Sequence, residues 1–172
     1  MNPMYDAFIN VIKENDRELL SHHLIKEEGT FKIDFDVFEK QAQESTLLLL
    51  CAPHNPTGRI WSDEEMHRMI EICKKYQVKI ISDEIHMDIR IKDAKHHPLM
   101  KYYDEYKDIF TASSSSKTLN TPGLIGSYVI IPDEKIRDEF LGVTRRRDFL
   151  NSASIFGMYA TMIGYTECDD YI

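Results

Sequence analysis

Residues 46–52, TLLLLCA, form an apolar run without alternation, bounded by polar and turn-forming residues. A strand with one wet face alternates apolar and polar side chains. An unbroken run of this length is the pattern of a strand covered on both faces, as in a parallel sheet flanked by helices. VKIISDE at 78–84 and IFTAS at 109–113 repeat the theme, and GSYVIIP at 126–132 supplies a fourth strand.

Helical patterns lie before and between these runs. Tyr5, Phe8, Ile9 and Ile12 recur at helical spacing over 4–15, and a short helix starts near Asp34. The stretch 18–35 reads as strand and turn. SDEEMHRMIEICKKYQ, 62–77, opens with a Ser62/Glu65 capping box and carries Met66, Met69, Ile70 and Cys73 as its apolar stripe. Residues 133–148 and 152–165 read as two further helices, with Arg145, Arg146 and Arg147 closing the first of them. The fold class expected is α/β, a mainly parallel sheet with flanking helices, in which ligands bind beyond the carboxyl ends of the strands.

Charge narrows the partners. With 172 residues, a net charge of −8 and 29% charged residues, the chain is globular in composition. It lacks the basic face that nucleic acid or an anionic membrane demands. Cys51, Cys73 and Cys168 are odd in number and widely spaced, without zinc spacing, so they are expected as reduced thiols in a cytoplasmic protein. No metal site and no signal peptide are expected. Neither end reads as a natural domain edge, so 1–172 is expected to be part of a larger domain.

Three strand ends carry polar signals. After the first comes Asn55-Pro56-Thr57-Gly58: a turn, or an amide donor at the mouth of the sheet. After the second come Asp83 and Glu84. A carboxylate at a buried strand end needs a cation or a good donor, which a salt bridge, a helix cap, a cationic ring nitrogen or a metal would satisfy. His86 lies three residues beyond Asp83, while His96 and His97 read as surface residues. After the third strand comes TASSSSKTLNTPG, 111–123. A lysine chosen blindly is a solvated charge, but Lys117 follows a core strand and precedes a Pro-Gly turn. A partly desolvated lysine forms Schiff bases, and hydroxyls beside it hold phosphate. Carboxylate, amide, lysine and hydroxyls together describe pyridoxal 5′-phosphate (PLP).

NPTG, SDEIH and SSSSKTLN…PG, in this order, resemble the fold-type I PLP enzymes of the aspartate aminotransferase superfamily. LLCAPHNPTGRIWSDEE, ISDEIHMDI and SKTLNTPGLIGSY are similar to its MalY/PatB-like cystathionine β-lyase branch. The resemblance implies a partial PLP-binding large domain of a homodimeric enzyme. It implies that Lys117 is the Schiff-base lysine and general acid/base, that Asp83 pairs with the pyridine nitrogen, and that Asn55 and His86 meet the 3′ oxygen. Ser114 would hold the phosphate and Tyr5 would stack on the ring; otherwise Tyr5 is a core residue of the first helix. Aminotransferases often carry an arginine eight residues after the lysine, where this chain has Ile125, so the implied reaction is α,β-elimination of cystathionine or another S-substituted cysteine. The alternatives are an aminotransferase and a truncated domain that folds without turnover.

Overall fold

The computed structural model describes residues 1–89, 93–150 and 153–172. The first helix, α1 (Asp6–Glu14), precedes a hairpin of β1 (Ile25–Glu27) and β2 (Thr30–Lys32). Its turn, Glu28-Gly29, has positive φ at both residues, the backbone of the two-residue turns that follow strand twist. Helix α2 (Phe35–Ala42) starts where expected, because the Asp34 carboxylate accepts from the Asp36 and Val37 N–H groups.

The main sheet has the order β3 (Leu47–Cys51), β4 (Lys79–Asp83), β5 (Ile109–Ser113), β6 (Tyr128–Ile130). The first two pairings are parallel and the last is antiparallel, so the sheet is mainly parallel with an antiparallel edge. Helix α3 (Asp63–Lys75) makes the crossover between β3 and β4. Its capping box forms, with Glu65 N–H donating to Ser62 Oγ at 3.2 Å and Ser62 N–H donating to Glu65 at 2.8 Å. Replacing Ser62 by alanine is expected to cost about 1 kcal/mol. That is a fall of about 2–4 °C in a thermal melt for a chain of this size; an unchanged melt would deny the cap its role.

Met66, Met69, Ile70 and Cys73 of α3 bury against Leu50, Ile80 and Ile109 of the sheet. Trp61 closes this core, its Nε1 donating to the Cys51 carbonyl at 3.0 Å. A 3₁₀ turn at Leu99–Tyr102 adds Leu99 and Tyr102 to the same side. The expectation that the first strand is covered on both faces holds only in part. Leu50 is buried toward α3, but Leu47 is exposed and Leu49 half-buried on the opposite face. β5, in the middle of the sheet, is the strand most completely enclosed.

Beyond β6, α4 (Glu134–Leu141) continues into a π-helical segment, Gly142–Arg147. The arginine run does close this helix: Arg147 pairs with Asp148 at 2.7 Å and Arg146 donates to the Asp138 carbonyl. Helix α5 (Ile155–Glu167) is capped by Ser154. It overlaps the helix read over 152–165 and runs on to Glu167, and the first residue of that reading, Ser152, is outside the described residues.

Candidate active site

The parallel register sets Cys51 opposite Asp83 and Asp83 opposite Ala112. β3, β4 and β5 therefore end level, and their polar continuations leave the sheet side by side. Alternation along β4 turns Ile80 and Ser82 into the α3-facing core and puts Asp83 on the other face.

Asp83 is half-buried, and its Oδ1 accepts from the Ile85 N–H at 3.1 Å. Burial raises its pKa above the ordinary aspartate range. The Ile85 N–H and His86 oppose that shift, and Glu84 adds to it. Among the described residues Asp83 takes part in no ion pair. His86 follows on the turn after β4. Burial pulls its pKa below the ordinary imidazole range, the Asp83 carboxylate works against that, and the Lys117 ammonium works with it. His86 thus lies within electrostatic reach of both Asp83 and Lys117.

Lys117 is exposed on the turn that follows β5. This turn is helical in its bonding, with Leu119 N–H donating to the Ser115 carbonyl at 2.8 Å and Thr121 N–H to Ser116 at 3.0 Å. The serine run divides its work. Ser113 Oγ donates to the Glu84 carbonyl at 3.1 Å, and Ser115 Oγ lies 2.8 Å from Thr161 Oγ1. Ser114 Oγ donates to the Gly126 carbonyl at 2.5 Å, lies 3.0 Å from Ser116 Oγ and accepts from the Ser116 N–H. Three of the four hydroxyls are buried, so the run is a folded junction and not a linker.

The Asn55 loop is held from both sides. His54 and Arg59 pair across it, and Gly58, at φ +68°, donates its N–H to the His54 carbonyl at 2.8 Å. Arg59 reaches the Phe31 carbonyl at 2.7 Å and the Glu65 carboxylate, tying the loop to the hairpin and to α3. The Asn55 N–H is spent on Cys51 Sγ, while its side-chain amide has no partner among the described residues. A cleft of about 610 Å³ runs between hairpin and loop, lined by Thr30, Phe31, Asn55, Gly58, His86 and Ile89 among others.

Asn55 and His86 therefore share a cleft, and His86 feels the charge of both Asp83 and Lys117. Tyr5 and Ser114 line no part of that cleft. Tyr5 precedes α1 with its side chain 51% exposed and its ring edge-on to Phe8 at 6.1 Å, so it is no core residue. Ile125 is 73% exposed and stands at φ +48°.

The reading of His96 and His97 as surface residues is overturned. The His96 side chain is 8% exposed and its Nε2 lies 3.2 Å from Glu84 Oε2, while His97 sits 3.4 Å from Asp63. Glu84, 1% exposed, also accepts from the Leu99 N–H at 2.8 Å. A carboxylate at a buried strand end must be partnered, and the polar stretch after β4 supplies the partners. Glu84 itself signalled this need; which histidine would answer it depended on the loop's path.

Comparison with known proteins follows the same outline. The aminotransferase class I and II family model matches residues 1–163. The chain belongs to this family. Among class I and II relatives it is similar to cystathionine β-lyase PatB of Bacillus subtilis, 35% identical over 168 residues, or 96% of this chain and 43% of PatB. Protein MalY of Escherichia coli is 34% identical over 96% of this chain and 42% of its own length. The PLP-bound C–S lyase of Staphylococcus hominis superposes with a TM-score of 0.91 at 31% identity, covering 99% of this chain and 43% of that one. The chain thus spans less than half the length of the family members it matches.

Proposed function

We propose that this chain is the cofactor-holding part of a PLP-dependent carbon–sulfur β-lyase. It would split cystathionine or a related S-substituted cysteine into a thiol, pyruvate and ammonia. The observation that carries the proposal is the half-buried Asp83 carboxylate, paired with no cation among the described residues, at a sheet edge that also presents His86 and Lys117.

The residues present fit PLP. Asp83 offers a protonated ring nitrogen a carboxylate, and Asn55 offers a ring oxygen a side-chain amide, neither partnered by a side chain among the described residues, with His86 beside Asn55 in the cleft. Ser114 and Ser116 share the neighbourhood of Lys117 that suits a phosphate. Tyr5 offers a half-exposed ring. When bound, PLP supplies an electron sink conjugated with the Cα of the amino-acid substrate.

The chain's own residues do the rest. Lys117 Nζ would hold the cofactor and, once the substrate amine has taken its place, would be free as the base for the substrate Cα proton. Asp83 would keep the proton on the ring nitrogen, because a carboxylate held in a partly buried setting stabilises the cation beside it. Asn55 and His86 would hold the ring oxygen from the cleft they share. The similarity to PatB and MalY across 96% of the chain favours the lyase over an aminotransferase, as does Ile125 in place of an arginine. The free thiols Cys51 and Cys73, both buried, suit the cytoplasm. The largely exposed apolar surface of α5, including Phe156, Tyr159 and Met162, suits a homodimer of the longer protein. Spanning under half of its relatives, the 172-residue chain is expected to hold PLP with weak turnover or none.

The test is an absorption titration with PLP followed by borohydride reduction and peptide mapping. The expected result is a PLP mass fixed on Lys117 and absent from a Lys117→Ala chain. No Lys117-dependent adduct would overturn the proposal. With cystathionine and the longer protein, thiol plus pyruvate marks the lyase; a keto acid that keeps its sulfur marks an aminotransferase.

A further inference from the structure

Helix α5 carries none of the residues assigned above, yet it touches both turns that present them. Gly157, Thr161 and Gly164 fall on one face, spaced four and three apart. Each meets the segment that bears Lys117. The Cα of Gly157 lies so close to the chain that an added Cβ would overlap the Leu124 and Ile125 carbonyl oxygens. An added Cβ at Gly164 would overlap the Leu119 side chain. Between them Thr161 Oγ1 meets the buried Ser115 hydroxyl at 2.8 Å. Ser154, the cap of α5, reaches the Leu124 carbonyl, and its N–H donates to Ile125 at 3.3 Å. One residue past Gly164, Tyr165 donates its hydroxyl to Asp88 Oδ2 at 3.1 Å, on the turn after β4 that carries His86.

We infer that α5 is a positioning helix: through Thr161 and its two glycines it moulds the Lys117 turn, and through Tyr165 it fixes that turn relative to His86. The inference rests on the reading of Lys117 as the PLP lysine. The geometry of the turn explains why the contact matters. Residues 115–121 wind helically, so Ser115 and Leu119 share the face that meets α5, while Ser114 and Lys117 share another. Rotating the turn to relieve a lost Ser115 contact also rotates Lys117 relative to His86, whose charge environment it shares. Thr161 touches neither substrate nor cofactor; it acts on the lysine through Ser115. Ser115 is otherwise a buried hydroxyl with no partner among the described residues, and burying such a group unsatisfied costs more than the net value of its bond.

The experiment compares Thr161→Val, which keeps the shape and loses the hydroxyl, with Thr161→Ser, which keeps the hydroxyl. Two readings are taken well below the melting temperature of each chain. The first is amide exchange at Leu119 and Thr121 without PLP. The second is PLP affinity with borohydride fixation on Lys117. The expected result is exchange about tenfold faster and PLP affinity about tenfold weaker for Thr161→Val, with Thr161→Ser restoring both. Unchanged exchange at Leu119 and Thr121 overturns the inference, as does faster exchange with PLP affinity intact, which would leave Thr161 a purely structural contact. A Tyr165→Phe chain with native exchange at Leu119 but weaker PLP binding supports the second tether; native binding removes it. If the native chain itself forms no Lys117 adduct, the cofactor reading fails first, and the inference falls with it.

Discussion

An Asp83→Asn chain is expected to bind PLP about 100-fold more weakly while folding at least as stably as the native chain. Asparagine keeps the shape and the oxygen that accepts from Ile85 N–H at 3.1 Å, but it removes the charge that would face a pyridinium nitrogen. Leaving that cation unpaired in a partly buried site costs about 3 kcal/mol, which is about two decades in affinity. Stability moves the other way. Burial lifts the Asp83 pKa above its ordinary value of 3.8, so the folded chain disfavours the ionised form. The contribution of Asp83 is therefore most favourable below pH 3.8 and is lost as pH rises through the raised folded-state value. The substitution abolishes that loss. Urea unfolding at pH 4 and pH 8 beside a PLP titration reads both effects. Equal PLP affinity in the two chains would end the assignment of Asp83 to the ring nitrogen.

The second large effect is structural and sits one residue away. Glu84→Ala is expected to destabilise the fold by about 3–5 kcal/mol and to lower the melt by roughly 10 °C. Glu84 is almost fully buried and is the joint of the strand-end region. Its carboxylate holds the Leu99 N–H at 2.8 Å and His96 at 3.2 Å, its N–H donates to Ala112, and its carbonyl accepts from Ser113. Alanine leaves the Leu99 N–H and the His96 ring unpartnered around a void. Glu84→Gln keeps an acceptor for Leu99 and should recover part of the loss. A Glu84→Ala melt within a degree or two of the native chain would show that the loop after β4 is held by other contacts.

Adjacent carboxylates thus have opposite fates, and the sequence showed only that both needed partners. Asp83 and Glu84 look alike in VKIISDE; strand alternation turns one toward the open face and the backbone carries the other into the interior. The parallel sheet and the α3 capping box were legible because they rest on local patterns: continuous apolar runs and a Ser/Glu spacing. The level strand ends from which Asn55, Asp83, His86 and Lys117 follow were legible as order along the chain. The roles given to those residues came from the motifs. The parts that escaped depend on distant pairings. His96 was read as a surface residue because its partner lies twelve residues back, buried just past the end of β4. The small-residue face of α5 had no meaning until the Lys117 turn came to rest on it. The second face of β3 was read as covered because an apolar run states what a strand tolerates, not what packs on it.

Apart from Gly157 and Gly164, every described residue after Ile131 is exposed or half-buried. The chain therefore has an uneven distribution of cohesion. The block from α2 to β5 is anchored by α3 and Trp61, whereas α5 adheres through hydrogen bonds and two close glycine approaches. Opening the second region sacrifices little apolar burial, so its free energy lies far below that of global unfolding. The Lys117 turn lies on the seam between the two regimes. A ligand that grips both sides of that seam is favoured only when the seam is shut, and so acts as a clasp on the weaker half.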